Sequence, residues 1–448
     1  MARNFTDSFT TIVSSIRKLS FKTIVLVFVL GCPGLAASPN TVEIVGNPTV
    51  EDDEITVRIN VRDEQNRPVV ELLDTSFNLS VDNQDLRFES QNWKRPQDVL
   101  PPPAWIVVLL DMSGSMGKVD SKDTTKLQGA LNAIAQFKDT IAERVADAPK
   151  ENIPQIAIVP FGEPGENCNG YSVSKNELDK FFPANAYLLD NHLDFLSNQS
   201  PCASTNLYEP LSKAIRFLGN KEDSRFYPAE DSQSPQPRLS LILLSDGYHT
   251  EDNESKDFEE LKLLIRQNPD IIIHTLGYGL TLEELGNKYG LGRPANRDDI
   301  YWSGPSNSSS NSKSKSLPKG KVPADEFVDQ SRLMEIAQLT GGISEFSADA
   351  ETVADKLQVF LNALLGEYQI TYLQPNADRG SKHTVQASVT ANEGSIQSAL
   401  KTYIIPVFGR TLRRDIRIQI FVSTLLAMGI AGVIPFWFWA NHLKEEEL

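Results

Sequence analysis

The feature that most constrains this chain is the stretch WIVVLLDMSGSM, Trp105 to Met116, an apolar run that ends abruptly in an acid and two spaced hydroxyls. Trp105 to Leu110 shows no polar alternation, the pattern of a central strand buried on both faces. Asp111, Ser113 and Ser115 then fall in the loop at its carboxyl end, where open α/β sheets hold ligands. Acid and hydroxyl oxygens at alternate positions can converge on one hard cation, because Mg²⁺ takes oxygen ligands in near-octahedral geometry and usually keeps some water. Gly114 removes a side chain from the middle of that turn. A Ser-rich loop before a helix also supplies N-caps, so this stretch alone leaves both readings open.

From Trp105 onward, strand and helix patterns alternate. Lys126 to Val145 carries apolar residues at Leu127, Leu131, Ile134, Phe137 and Ile141, a helical stripe. Gln155 to Phe161, Arg238 to Ser245 and Ile271 to Gly277 read as further buried strands, separated by helical patterns at Asn206 to Leu218 and Phe258 to Arg266. Such alternation predicts an α/β sheet, mostly parallel. Two more loops match the first in chemistry. Thr205 stands just before the helix that runs to Leu218, and Asp246-Gly247 ends the strand RLSLILLS. A helix cap for Thr205 and a turn for Asp246-Gly247 are their structural alternatives. Three such loops at one sheet edge favour a shared site.

These residues resemble the metal-ion-dependent adhesion site of the von Willebrand factor type A family. The resemblance covers about Trp105 to Leu365 and rests on Asp111, Ser113, Ser115, Thr205 and Asp246, with STNLYEPL, LILLSDG, IIIHTLGYG and LMEIAQLTGGISEF following in the family's order. It implies that Ser113 and Ser115 bind Mg²⁺ (or Mn²⁺) directly, with Thr205, Asp111 and Asp246 direct or water-mediated. One position would stay open for an Asp or Glu carboxylate of a protein partner. The chain departs from the pattern where Ala203-Ser204 stands in place of the glycine that often precedes the threonine. Cys202 lies three residues from Thr205, and a bond to Cys168 would tie the insertion Glu163 to Pro183 to the metal loop. His249 reads as a solvated loop histidine near the rim.

The flanks read differently. Glu54 to Asp63, Ser76 to Asp82, Glu367 to Leu373 and His383 to Ala391 alternate apolar with polar residues, as half-buried antiparallel strands do. In the resembled fold the chain ends emerge together opposite the metal, so Asn40 to Asn92 and Glu367 to Val407 are expected to form one β-sandwich into which the α/β domain is inserted. Lys94 to Pro103 is a proline-rich connector.

At the start, Arg17, Lys18 and Lys22 precede the apolar Thr23 to Leu30 and then small residues at Ala36 to Ser38, the order of an export signal. Val29 to Cys32 only faintly matches a lipoprotein box. Ile418 to Ala440 is uncharged, long enough to cross a bilayer, and closes on Phe436 to Trp439 as an aromatic belt. Arg410, Arg413, Arg414 and Arg417 precede this span and only Lys444 follows it, which would keep the bulk of the chain inside. The first segment usually sets orientation, so export is expected instead. Cys168 and Cys202, an even pair, suit an oxidising compartment.

The expected fold is thus α/β, a Rossmann-like doubly wound and mostly parallel sheet, plus an all-β sandwich-like domain and a C-terminal transmembrane helix. By number, the domains are a signal peptide or signal anchor at 1–37, sandwich strands at 38–100, the type A-like domain at 101–366 with a disordered insertion at 300–323, completing strands at 367–409, the membrane helix at 418–440 and a short tail at 441–448. A net charge of −16 argues against nucleic acid. No Gly-x-Ser-x-Gly elbow, Walker loop, His-Glu-x-x-His or paired-cysteine zinc spacing occurs, so no enzyme is expected. The expected role is a membrane-anchored module that engages a partner through its cation. The alternatives are an assembly or chaperone-like component of a membrane complex, and a scaffold whose metal site does not function.

Overall fold

The computed structural model describes residues 38–51, 54–165, 168–228, 237–250, 253–301, 317–374, 378–391, 394–406 and 414–446. The expected export signal with Cys32, Arg410 and Arg413, and the 302–316 part of the low-complexity stretch lie outside the described residues.

Six strands build the central sheet: β1 (Ala104–Asp111), β2 (Gln155–Phe161), β3 (Phe182–Pro183), β4 (Arg238–Ser245), β5 (Ile271–Tyr278) and β6 (Ser344–Ser347). They lie in the order β3-β2-β1-β4-β5-β6, all parallel except the short edge strand β3. The order reverses between β1 and β4. In such sheets the crevice outside the carboxyl ends at that switch is where ligands sit.

Helices cover both faces, which is why β1 is apolar without interruption. α1 (Lys126–Arg144), α2 (Tyr187–Ser197), α3 (Tyr208–Leu218), α4 (Glu254–Gln267), α5 (Gln330–Leu339) and α6 (Ala350–Leu365) divide between them. Ile106, Val108 and Leu110 pack against α1, α2 and α6, while Val107 and Leu109 pack against α3, α4 and α5. Each of these five side chains is at most 1% exposed, and burying one contributes roughly 1.5–3 kcal/mol. A two-sided core of that kind holds the end of β1 rigidly.

Strands from both flanks share a second core. One sheet orders Thr41–Ile44, Glu54–Arg62, Tyr368–Leu373 and Trp93–Lys94, with Thr49–Glu51 also on Glu54–Arg62. The other orders Gly394–Gln397, Lys382–Ala391, Phe77–Val81 and Gln84–Leu86, with Lys401–Ile404 also on Lys382–Ala391. Alternate residues Ile55, Val57, Ile59 and Val61 face Phe77, Leu79, Val385 and Ala387 across the sandwich. Tyr368 locks it: its hydroxyl accepts from Leu72 N and donates to Val69 O, both at 2.9 Å.

The two ends of the 300–323 stretch are ordered. Ile300–Tyr301 and Val322–Pro323 pair in parallel, because Val322 is buried in a small cluster with Leu285, Ala295 and Phe327. At the other end of the chain, α7 (Arg414–Glu446) contains Gln419–His442, long and apolar enough to cross a membrane.

Candidate metal centre

Asp111 is the last residue of β1 and Asp246 follows β4 directly, so neighbouring strands bring two carboxylates to the switch point. Both are fully buried. Asp111 Oδ1 accepts from Ser113 N at 2.8 Å, which curls the motif loop back on its own acid. Its Oδ2 accepts from Ser245 Oγ. Asp246 Oδ1 accepts from Ser115 Oγ at 2.7 Å and Ser113 Oγ at 3.3 Å, and the two hydroxyls stand 3.0 Å apart.

Thr205 enters from the loop before α3. That loop is stitched to the motif by its backbone: Cys202 N and Ala203 N donate to Met112 O, and Gly114 N donates to Ala203 O. Thr205 itself is 5% exposed and its carbonyl accepts from Thr250 N and Oγ1. The capping alternative for Thr205 is not realised, since Asn206 Oδ1 accepts from Tyr208 N and Glu209 N at the start of α3. Gly247 must be glycine here, because a Cβ would come within 2.8 Å of Thr205 Oγ1. The missing glycine before the threonine has a counterpart across the loop: a Cβ on Gly162 would meet Ala203 Cβ at 2.4 Å, so Gly162 makes the room that Ala203 uses.

Of the five residues singled out from the sequence, Ser113, Ser115 and Thr205 line a cleft of about 230 Å³ together with Gly247, Tyr248 and Asp325, and Asp111 and Asp246 lie buried beneath it, bonded to the two serines. Burial and the neighbouring Asp246 push the Asp111 carboxyl well above its ordinary range, as expected for two acids crowded below the surface. Buried carboxylates ringed by hydroxyl oxygens fit a hard divalent cation. Among the described residues, no cluster of three or more His, Cys, Asp or Glu side chains forms a metal site, so any site here relies on hydroxyls.

Three neighbours were not legible as site residues. Lys126 Nζ lies 2.6 Å from Asp246 Oδ2, and sequence marked it only as the start of a helix. Ser245 supports Asp111 from the strand end. Asp325 reaches the cleft from beyond the low-complexity stretch and pairs with Lys118. His249 is also placed differently from expectation. It is 4% exposed and stacked on Tyr208 at 4.2 Å, and burial lowers its pKa. Tyr208 and α4 cover the ring, so it is a packing residue instead of a solvated one. A disulfide joins Cys168 to Cys202 and ties the 163–183 insertion to the Thr205 loop.

Among known proteins, no family profile and no curated sequence matches the chain. Solved structures are similar to it at low scores. A von Willebrand factor type A protein from Catenulispora acidiphila is 12% identical, over 84% of this chain and 76% of that one, with a TM-score of 0.37. The conserved hypothetical protein BatB from Bacteroides thetaiotaomicron is 15% identical, over 58% and 98%, at 0.33. Proximal thread matrix protein 1 from the mussel byssus, whose MIDAS motif is zinc-occupied, is 14% identical, over 59% and 48%, at 0.30. These are likenesses only. Strand order and the switch point give this chain a doubly wound α/β fold.

Proposed function

We propose that the chain is a membrane-anchored binding module that holds Mg²⁺ or Mn²⁺ at Asp111, Ser113, Ser115, Thr205 and Asp246 and engages an acidic group of a protein partner there. The observation that carries this reading is three hydroxyl residues, Ser113, Ser115 and Thr205, lining one solvent-open cleft at the sheet's switch point, with two buried carboxylates hydrogen-bonded to the serines from beneath. When bound, the cation would supply a positive charge with a free coordination position facing the cleft. The protein's own part is to fix the oxygens: Ser113 N and Ser245 Oγ orient Asp111, and the Gly247 gap admits Thr205.

In this reading α7 is the membrane anchor, the bulk of the chain is exported, and the sandwich is the stalk. No catalytic role is assigned. Partner capture should be lost in Asp111→Ala and in wild type with chelator. Capture that survives both together overturns the reading. The Lys126 contact to Asp246 favours one rival, a scaffold whose acids are neutralised internally and need no metal. A wild-type chain with no Mg²⁺- or Mn²⁺-dependent thermal shift would support that rival.

A further inference from the structure

Asp246 already has a cation of its own. Lys126 is the first residue of α1, its Nζ is 2.6 Å from Asp246 Oδ2, and only 11% of its side chain is exposed, against 0% for the aspartate. A cation at a helix N-terminus opposes the macrodipole, and a buried ammonium is tolerated only against a well-placed partner. The backbone puts it there nevertheless. Lys126 N donates to Lys118 O at 2.9 Å and Val119 bridges Thr125, so α1 begins beside the motif loop. Asp246 is then engaged on both oxygens, Oδ1 by the two serine hydroxyls and Oδ2 by the ammonium.

Resting on the metal-binding reading above, we propose that Lys126 is a built-in competitor for the cation: ammonium and divalent ion hold Asp246 by turns, and loading the ion drives Lys126 toward solvent. Charge arithmetic supports exchange over sharing. With both acids ionised, as oxygen ligands of a cation are, one ammonium leaves a single negative charge, whereas adding a divalent ion with the ammonium still in place leaves a net positive one. In a pocket of low dielectric, two cations on one carboxylate repel strongly. The internal cation keeps the metal-free fold intact and sets how much ion is needed to open it.

The test is titration of the full chain in detergent with MgCl₂ and MnCl₂, followed by calorimetry, for wild type, Lys126→Met and Lys126→Arg. Because apparent affinity falls with the fraction of competent sites, Lys126→Met should bind about tenfold more tightly or better, and Lys126→Arg should stay near wild type. A second readout needs no variant: acetylation of Lys126 by an amine reagent, read by peptide mass spectrometry, should rise when metal is added. Equal affinities for wild type and Lys126→Met overturn the exchange and leave metal binding standing. Metal bound with Lys126 labelling unchanged does the same. No binding by either protein overturns both readings, since removing the lysine would then admit nothing.

Discussion

Buried carboxylates are handled in opposite ways in two parts of this molecule. Where the sandwich meets the α/β domain, Glu367, 1% exposed, has Arg58 at 3.5 Å and Arg238 as partners. Glu345, 5% exposed, lies 2.9 Å from Arg67 and 2.8 Å from Lys356. Each acid there has two cations. At the carboxyl edge of the sheet, Asp246 has Lys126 alone and Asp111 has no ion-pair partner among the described residues. Depth does not explain the difference, and neither does position along the sheet. Glu254, near the same edge, has Arg332 at 2.8 Å and Arg297 at 3.0 Å, with Tyr208 Oη donating to it at 2.6 Å. What sets the candidate centre apart is its shortage of positive charge, which an added cation would relieve.

The sharpest way to break this contrast is at the junction. Glu367→Ala would leave Arg238, whose side chain is 21% exposed, without its acid; removing one partner of a fully buried pair typically costs about 3–5 kcal/mol, so this part-buried one should lose about 3 kcal/mol. The loss should appear in urea unfolding with chelator and with metal alike; a neutral outcome would mean the junction charges are not structural. Next in size is the site itself. Saturating Mg²⁺ or Mn²⁺ at 100 times its dissociation constant should stabilise wild type by roughly 2.7 kcal/mol, and Asp111→Ala should lose that gain. Thermal unfolding with and without chelator reads it directly. A metal-dependent rise in Asp111→Ala would place the ion elsewhere.

Glu254 tests whether counter-charge, and not mere depth, governs these acids. Burial raises its pKa, but hydrogen bonds from Arg332, Tyr208 and Arg297 outweigh that and hold it at about 2, against 4.5 for the free side chain. Since the folded value is the lower one, the stability it contributes is complete above about pH 4.5 and is lost as pH falls toward 2. Discounted for solvent, the effect is roughly 1–3 kcal/mol. Acid unfolding curves of wild type and Glu254→Gln should therefore differ at neutral pH and converge near pH 2. Parallel curves would show that the arginines do not act on this acid.

Much of the fold was legible because its signals are local. Buried parallel strands are unbroken apolar runs, so Trp105 to Leu110 and Leu241 to Leu244 mark the sheet centre, and the motif acids follow them within one or two residues. Alternation in Glu54 to Asp63 and His383 to Ala391 marked the strands Glu54–Arg62 and Lys382–Ala391 just as directly. Long-range relations were not legible. The Lys126 contact joins residues 120 apart in sequence, so its helix-start position revealed nothing of it. Gly162 compensates for Ala203 across a loop pair, and Asn206 takes the cap that Thr205 was free to take. His249 follows a turn but folds under Tyr208. In each case the decisive neighbour came from another element.

The smallest expected effect isolates burial from charge. Lys118 lies eight residues before Lys126 and pairs with Asp325 on the cleft rim, yet both side chains are about half exposed. Exposed pairs contribute about 0–1 kcal/mol because water and salt screen them and ordering two long side chains costs entropy. Lys118→Ala should thus change urea stability by less than about 1 kcal/mol and leave metal affinity near wild type. Its effect should fall on association with an acidic partner, slowing the on-rate in a salt-dependent way, because a rim charge steers encounter more than it holds the complex. If Lys118→Ala instead raised metal affinity as much as Lys126→Met, the summed charge around the cleft would control the ion. The buried contact to Asp246 would then have no special part, and the contrast between the two lysines would collapse into net charge alone.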